Sequence, residues 1–262
     1  MASLTEVFQR LLRRKTRESV GFFVLGMHRS GTSCLTGLLE TTGLYLGEVS
    51  RTNPFNAKGT LENAGVEQVN EAILRQFGGA WNRPPEGVDC NRVKSRPIKR
   101  ALRGYLMHSR WALKDPRLLL TLEAWTPHVS RPRFMGAFRH PEAVANSLKT
   151  RNGSSLAEGI DLWIRYNRRL VELHRTLQFP LVSFDLRGRD YLRQFKTLCE
   201  RTGLPFHEDA AKGFYETKLT SHNADSREPL SGEAGELYSY LLHHQIVSVS
   251  DQSASEDRSR AA

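Results

Sequence analysis

The chain has 262 residues, with 38 Lys and Arg against 28 Asp and Glu, and a formal net charge of +10 with histidine neutral. Hydrophobic residues make up 39% and charged residues 25%, a globular balance that excludes a wholly disordered chain. No apolar run approaches the ~20 residues of a membrane-spanning helix, the first residues lack a signal-peptide core, and Cys34, Cys90 and Cys199 fit neither a disulfide framework nor a zinc pattern.

Residues 1–19 read as a basic arm carrying Arg10, Arg13, Arg14, Lys15 and Arg17, with Val7, Leu11 and Leu12 to pack it. Glu6 and Glu18 interrupt any mitochondrial presequence. An apolar run predicts a first strand over 20–26, and Leu35, Leu38, Leu39 and Thr42 recur at helical spacing over 30–42. A polar loop follows at 54–59; Val66, Val69, Ile73 and Phe77 then mark one helix face. Residues 82–97 read as a long surface loop and 98–107 as a helix. Across them lies a second basic cluster, Arg92, Lys94, Arg96, Lys99, Arg100 and Arg103.

Strands are predicted at 110–114, 133–138 and 181–184. Asp115-Pro116 suits a helix start, by side-chain capping and a preset φ, for a helix reaching Trp125. Helices are also predicted at 141–149, with Val144 and Leu148 inward, and at 156–177. Another carries Leu192, Phe195, Leu198 and Thr202. One domain is expected over 20–246, followed by a disordered tail at 247–262 rich in Ser, Asp, Arg and Ala. Strands alternating with helices predict an α/β three-layer sandwich around a parallel sheet. Ligands on such sheets sit beyond the carboxyl ends of the strands. There the sequence places 26–33, Lys114, Arg139 and 184–187.

Four segments carry candidate chemistry. The first, Gly26-Met27-His28-Arg29-Ser30-Gly31-Thr32-Ser33, joins a strand to a helix. Such a loop aims backbone N–H groups at one spot beside a helix N-terminus, which makes an anion site. It is P-loop-like, yet the lysine that a P-loop requires after its second glycine is here Thr32, and the cation, Arg29, lies inside the loop. Read blandly, it is a glycine-bearing turn with a surface arginine. The second segment ends a strand on Arg139 and places Ser147 two turns into the next helix; both can reach one phosphate. The third, Asn53-Pro54-Phe55-Asn56-Ala57-Lys58-Gly59-Thr60-Leu61-Glu62-Asn63, puts Glu62 at a helix start, where a carboxylate also suits the dipole. The fourth is Lys114-Asp115-Pro116-Arg117, with Lys114 ending a strand.

These segments, in this order, resemble the superfamily of sulfotransferases that use 3′-phosphoadenosine-5′-phosphosulfate (PAPS), in its bacterial or tyrosylprotein-like branch. The resemblance implies that Arg29, Ser30, Gly31, Thr32 and Ser33 hold the 5′-phosphosulfate, and that Arg139 and Ser147 hold the 3′-phosphate. It implies Glu62 as base toward an acceptor hydroxyl, with Arg29 and Lys114 facing the transferred or leaving oxygens. No metal is required by that scheme. Arg29 stands where lysine is more familiar. The histidine of the cytosolic branch is missing, and His108 does not take its place. The C-terminal Arg-Lys-Gly loop is also missing, so adenine recognition is unassigned.

The acceptor is not readable. Basic surroundings favour an anionic or glycan hydroxyl, and the free thiols favour a reducing cytoplasm. A P-loop-like kinase and a nucleotide-binding module without catalysis remain alternatives. A nucleic-acid partner rests on charge alone. His28 is read as an acceptor contact or as filling. His222, His243 and His244 read as surface residues, and Trp163, Tyr166 and Asn167 as packing.

Overall fold

The computed structural model describes residues 19–52, 59–216 and 230–246. The arm up to residue 18, the 53–58 half of the third segment, His222 and the tail lie outside the described residues. Four strands, β1 (Val20–Leu25), β2 (Arg110–Lys114), β3 (Arg131–Phe138) and β4 (Leu181–Ser183), form one sheet in the order β2-β1-β3-β4. Each neighbouring pair is parallel.

A parallel sheet covered on both faces wants runs of apolar residues rather than alternation. Phe22, Phe23, Val24 and Leu25 of β1 are all buried. Phe23, Leu25, Trp111, Leu113 and Phe138 face a core with helices α4 (Leu118–Trp125) and α6 (Leu156–Leu177). Phe22, Val24, Ala112, Met135 and Ala137 face a second core built on α1 (Thr32–Glu40) and α7 (Gly188–Thr202). The three-layer α/β expectation therefore holds. Among the described residues no helix is long and apolar enough to cross a membrane.

The remaining helices are α2 (Ala64–Gln76), α3 (Ser95–Leu102), α5 (Pro141–Asn152), α8 (Glu208–Glu216) and α9 (Gly232–His244). Several boundaries differ from expectation. Helix α3 starts inside the stretch read as loop. Pro97 is its third residue, where the backbone N–H has no helical partner to lose. Glu62 does not open α2: Asn63 caps it, its Oδ1 accepting from Gly65 N–H at 3.0 Å and Val66 N–H at 3.2 Å. Asp115 does not cap α4 as expected: its Oδ1 accepts from Arg117 N–H at 2.8 Å in a turn ahead of the helix, which begins at Leu118 without a side-chain cap.

Helix α2 is tied to α4 by a buried polar contact. Asn70 Oδ1 accepts from Thr121 Oγ1 and Trp125 Nε1, both at 2.8 Å. Asn70→Ala strands the buried Trp125 N–H, at a cost of ~1–3 kcal/mol, while the Thr121 hydroxyl keeps the Arg117 carbonyl at 3.2 Å. The expected loss is about 1–3 kcal/mol in urea denaturation; an unchanged midpoint would mean that the Asn70 contact adds nothing to stability.

Candidate anion-binding active site

The loop after β1 has the backbone its residues imply. Gly31 (φ 84°) is left-handed and caps α1 without a side-chain hydrogen bond, which leaves the N–H groups of the first turn uncapped by any side chain. A Cβ at Gly31 would overlap the Phe184 ring, so glycine is required by both conformation and space. Arg29 is also left-handed, at φ 66°. A non-glycine residue there costs about 1–2 kcal/mol and has to be held by its surroundings. One such restraint is a side-chain bond: Arg29 Nε–H donates to Ser147 Oγ at 2.7 Å.

That bond joins the first segment to the second across 118 positions. Ser147 is buried on α5. Arg139, buried at the end of β3, lays its guanidinium 5.5 Å from the centroid of the Phe184 ring. Trp163 Nε1–H donates to the Arg139 carbonyl at 2.9 Å. The turn into α5 is clamped from β4: Asp185 Oδ2 accepts from His140 N–H at 2.8 Å and from Tyr238 O–H of α9 at 3.0 Å.

Glu62 is brought to the loop by two backbone bonds, Ser50 N–H to the Glu62 carbonyl at 3.0 Å and Leu61 N–H to the Ser50 carbonyl at 2.9 Å. Lys114 Nζ donates to Glu62 Oε1 at 2.8 Å and to Ser33 Oγ at 3.2 Å. Ser33 O–H donates onward to the Thr60 carbonyl at 2.9 Å. Residues of all four segments thus converge on one rim. Behind Lys114 lies Arg117, whose guanidinium meets Glu71 at 2.6 Å, Glu67 at 3.0 Å, Asp115 at 3.2 Å and Glu62 at 4.0 Å.

His28 is enclosed. Its ring lies 4.7 Å from Trp81 and 5.9 Å from Tyr166, centroid to centroid. Its Nε2 is buried with no hydrogen-bond partner. Burial holds its pKa well below the ordinary histidine value, reinforced by Arg117, Arg151, Lys114 and Arg29, so the ring is neutral. Arg29 is itself lowered, by burial and then by Arg151; an arginine so shifted stays a cation. Ser30 Oγ is likewise buried without a partner. Two unpartnered buried groups in a loop crowded by cations fit an anionic, oxygen-rich ligand, which would bond them and offset the repulsion.

Sequence reasoning gave no role to Arg117, Trp81, Arg151, Asp185 or Tyr238. Asp185 was the most accessible of these, as a carboxylate just beyond a strand end. Arg151 approaches the Trp81 ring at 5.6 Å, a contact with no local signature. His108 stacks on Tyr45 at 3.6 Å, away from the loop residues. His243 and His244 stand with His174 and Tyr240 at the far end of α9.

No protein-family model and no curated protein matches the chain. Among solved structures it is similar to sulfotransferase STF1 of Mycobacterium tuberculosis H37Rv, with 17% identity over 82% of this chain and 75% of that one, and a TM-score of 0.46. It is similar also to the sulfotransferase domain of the Synechococcus PCC 7002 olefin synthase, with 17% identity, 87% and 89% covered, and a TM-score of 0.48. A third is sulfotransferase STF9 of Mycobacterium avium, with 14% identity, 92% and 80% covered, and a TM-score of 0.48. Likeness this distant carries no functional argument; what the site does rests on its own residues.

The neutral His28 gives a pH signature. Below ~6.5 the unfolded chain takes up a proton that the buried ring refuses, so stability falls as pH drops through that value and is restored above it. One such group contributes at most ~1.4 kcal/mol per pH unit. Between pH 5 and 6.5 the parent should lose stability more steeply than His28→Gln. Parallel curves would show the ring to be charged or exposed.

Proposed function

We propose that the chain is a PAPS-dependent sulfotransferase acting on a hydroxyl acceptor. The observation that carries this reading is the Arg29–Ser147 hydrogen bond of 2.7 Å. It makes one continuous anion site of two motifs that a doubly phosphorylated adenosine would have to bridge. Ser30, Gly31, Thr32 and Ser33 would receive the phosphosulfate on backbone N–H groups and hydroxyls. Arg139, beside Ser147, would meet the 3′-phosphate. The donor supplies a sulfuryl group with a phosphate leaving oxygen. Buried Cys34 and Cys199 are in no disulfide, in keeping with a reducing, cytoplasmic setting.

Transfer requires one proton to leave the acceptor hydroxyl as its oxygen bonds to sulfur, and charge to grow on the phosphate oxygen as the old S–O bond breaks. Glu62 is the base of this reading. Its carboxylate is held ready by Lys114, and the ammonium has a third proton beyond those given to Glu62 and Ser33. A sulfuryl oxygen can accept a hydrogen bond from this third N–H without displacing Glu62, whose Oε2 would take the acceptor's proton. Arg29 meets the leaving oxygen by charge and hydrogen bonding alone, since it gives up no proton near pH 7. The cationic surroundings favour an anionic or glycan acceptor.

Thermal shift with 3′,5′-adenosine bisphosphate against Mg-ATP tests the donor. At about a hundred times its dissociation constant the bisphosphate should add about 2.7 kcal/mol. A shift with Mg-ATP alone would put a P-loop-like kinase first. Arg139→Ala should weaken bisphosphate binding by about 1.5–3 kcal/mol in calorimetry, the worth of a charge-assisted phosphate contact; unchanged affinity removes Arg139 from the site.

The catalytic roles separate in kinetics with an acceptor series. Glu62→Gln should lower kcat by about 10²–10⁴ with bisphosphate affinity near that of the parent, and less for acidic nitrophenols than for alkyl alcohols. Arg29→Ala should slow both acceptor classes alike and weaken donor binding. Parent rates on alkyl alcohols in Glu62→Gln would put the base elsewhere, with His28 next in line.

A further inference from the structure

Residues 92–110 hold seven Lys and Arg and no Asp or Glu. Ile98 and Leu102 turn α3 into the core, so Lys94, Arg96, Lys99, Arg100 and Arg103 all stand exposed. Among the described residues none of these five has a carboxylate within ion-pair distance. The nearest acids along the chain are exposed Asp89 before the segment and buried Asp115 after it.

The sheet adds to this face. Val20 pairs with Arg110 on one side and Arg131 on the other, so two exposed arginines flank it at the sheet's lower edge. His128 is depressed by its own burial and then by Lys99, which places α3 beside the entry to β3. The chain reaches β1 here as well: Ser19 O–H donates to the His108 carbonyl at 2.7 Å, and Trp111 Nε1–H donates to Ser19 Oγ at 2.8 Å. Between Arg103 and Arg110 the turn Tyr105–Met107 exposes two apolar side chains, Leu106 at 38% and Met107 at 68%.

We propose that this face seats the protein on an anionic phospholipid surface, its cations on the headgroups and Leu106 and Met107 at the interface. A polybasic patch with a small apolar tip is a combination that binds charged bilayers reversibly. Nucleic acid is the other polyanion to weigh, but it calls for exposed rings to stack on bases. Tyr105 is buried and His108 is already stacked on Tyr45. The seating leaves the candidate site clear. Lys114 lies four residues along β2 from Arg110, about 13 Å at ~3.3 Å per residue, on the opposite rim. This inference does not depend on the donor or the reaction.

The test is co-sedimentation of the full chain with vesicles of neutral phosphatidylcholine, and of the same lipid with one third phosphatidylglycerol. Binding is expected to the charged vesicles alone, with release on raising the salt from about 0.1 to 0.5 M. Lys99→Glu/Arg100→Glu/Arg103→Glu should weaken it about tenfold or more, and Met107→Asp alone should weaken it several-fold. Thermal midpoints near that of the parent confirm that both variants fold, and Arg103→Glu alone replaces the triple variant if it does not. Equal binding to neutral vesicles, failure to bind charged ones, or parent affinity in the folded variants overturns the proposal. Tighter binding to a 20-base oligonucleotide than to the charged vesicles overturns it in favour of nucleic acid.

Discussion

The buried guanidinium of Arg117 governs how the rim is assembled. It is the common partner of carboxylates from three places: Asp115 at the end of β2, Glu62 before the α2 cap, and Glu67 and Glu71 on α2. Without a cation there, four carboxylates would not share so small a volume. Burial raises the Asp115 carboxyl to about 6 even with Arg117 beside it, and the Glu62 charge adds to the rise. A buried charge that loses its partner costs about 3–5 kcal/mol, so α2 and the strand end are locked together. Lys114 and Glu62 are placed as part of that lock, and the ionic geometry of the rim belongs to the scaffold rather than to a mobile loop.

The same arrangement balances charge across the rim. On one side stand Arg29 and Arg151: burial and then Arg151 lower Arg29, and both cations add to the burial that depresses His28. On the other stand the acids around Arg117. Lys114 touches both, through Ser33 of the loop and through Glu62. An arriving anion would therefore meet a cationic loop, while the carboxylate side stays paired with Arg117 and Lys114. On the proposed reading, this asymmetry would let one small site take a polyanion with a carboxylate near it.

Much of the fold was legible because its signals are local. β2 and α6 match their expected bounds, and the β1 loop could be located from glycine spacing and the apolar run before it. Errors arose where two local rules competed. Pro97 suggested a loop, yet proline is tolerated in a first helical turn, and α3 began earlier. Glu62 read as the start of α2, but Asn63 caps better and leaves the carboxylate outside the helix, free to turn toward Lys114. The site was legible as a set of segments and not as a set of contacts. Arg117 stood in plain view within a quoted motif, but its partners lie about fifty positions away. Arg139 and Ser147 were expected to share one phosphate, whereas the contact the structure gives the Ser147 hydroxyl is with Arg29. No spacing rule gives such pairings, because they are set by how α2 and α5 pack.

The order β2-β1-β3-β4 has a consequence for the birth of the molecule. Strand β1 is a central one, and it leaves the ribosome before its two partners, which start only at residues 110 and 131. At synthesis rates of about 5–20 residues per second, the apolar Val20–Leu25 segment waits from a few seconds to somewhat under twenty before either edge can be paired. Until then its backbone donors and acceptors have only water or a foreign strand to bond. Both flanks of β1 then close through long-range contacts, which slows folding relative to local pairing. A nascent chain of this topology is most exposed to aggregation, and most in need of a holding chaperone, over the stretch of synthesis before β2 emerges.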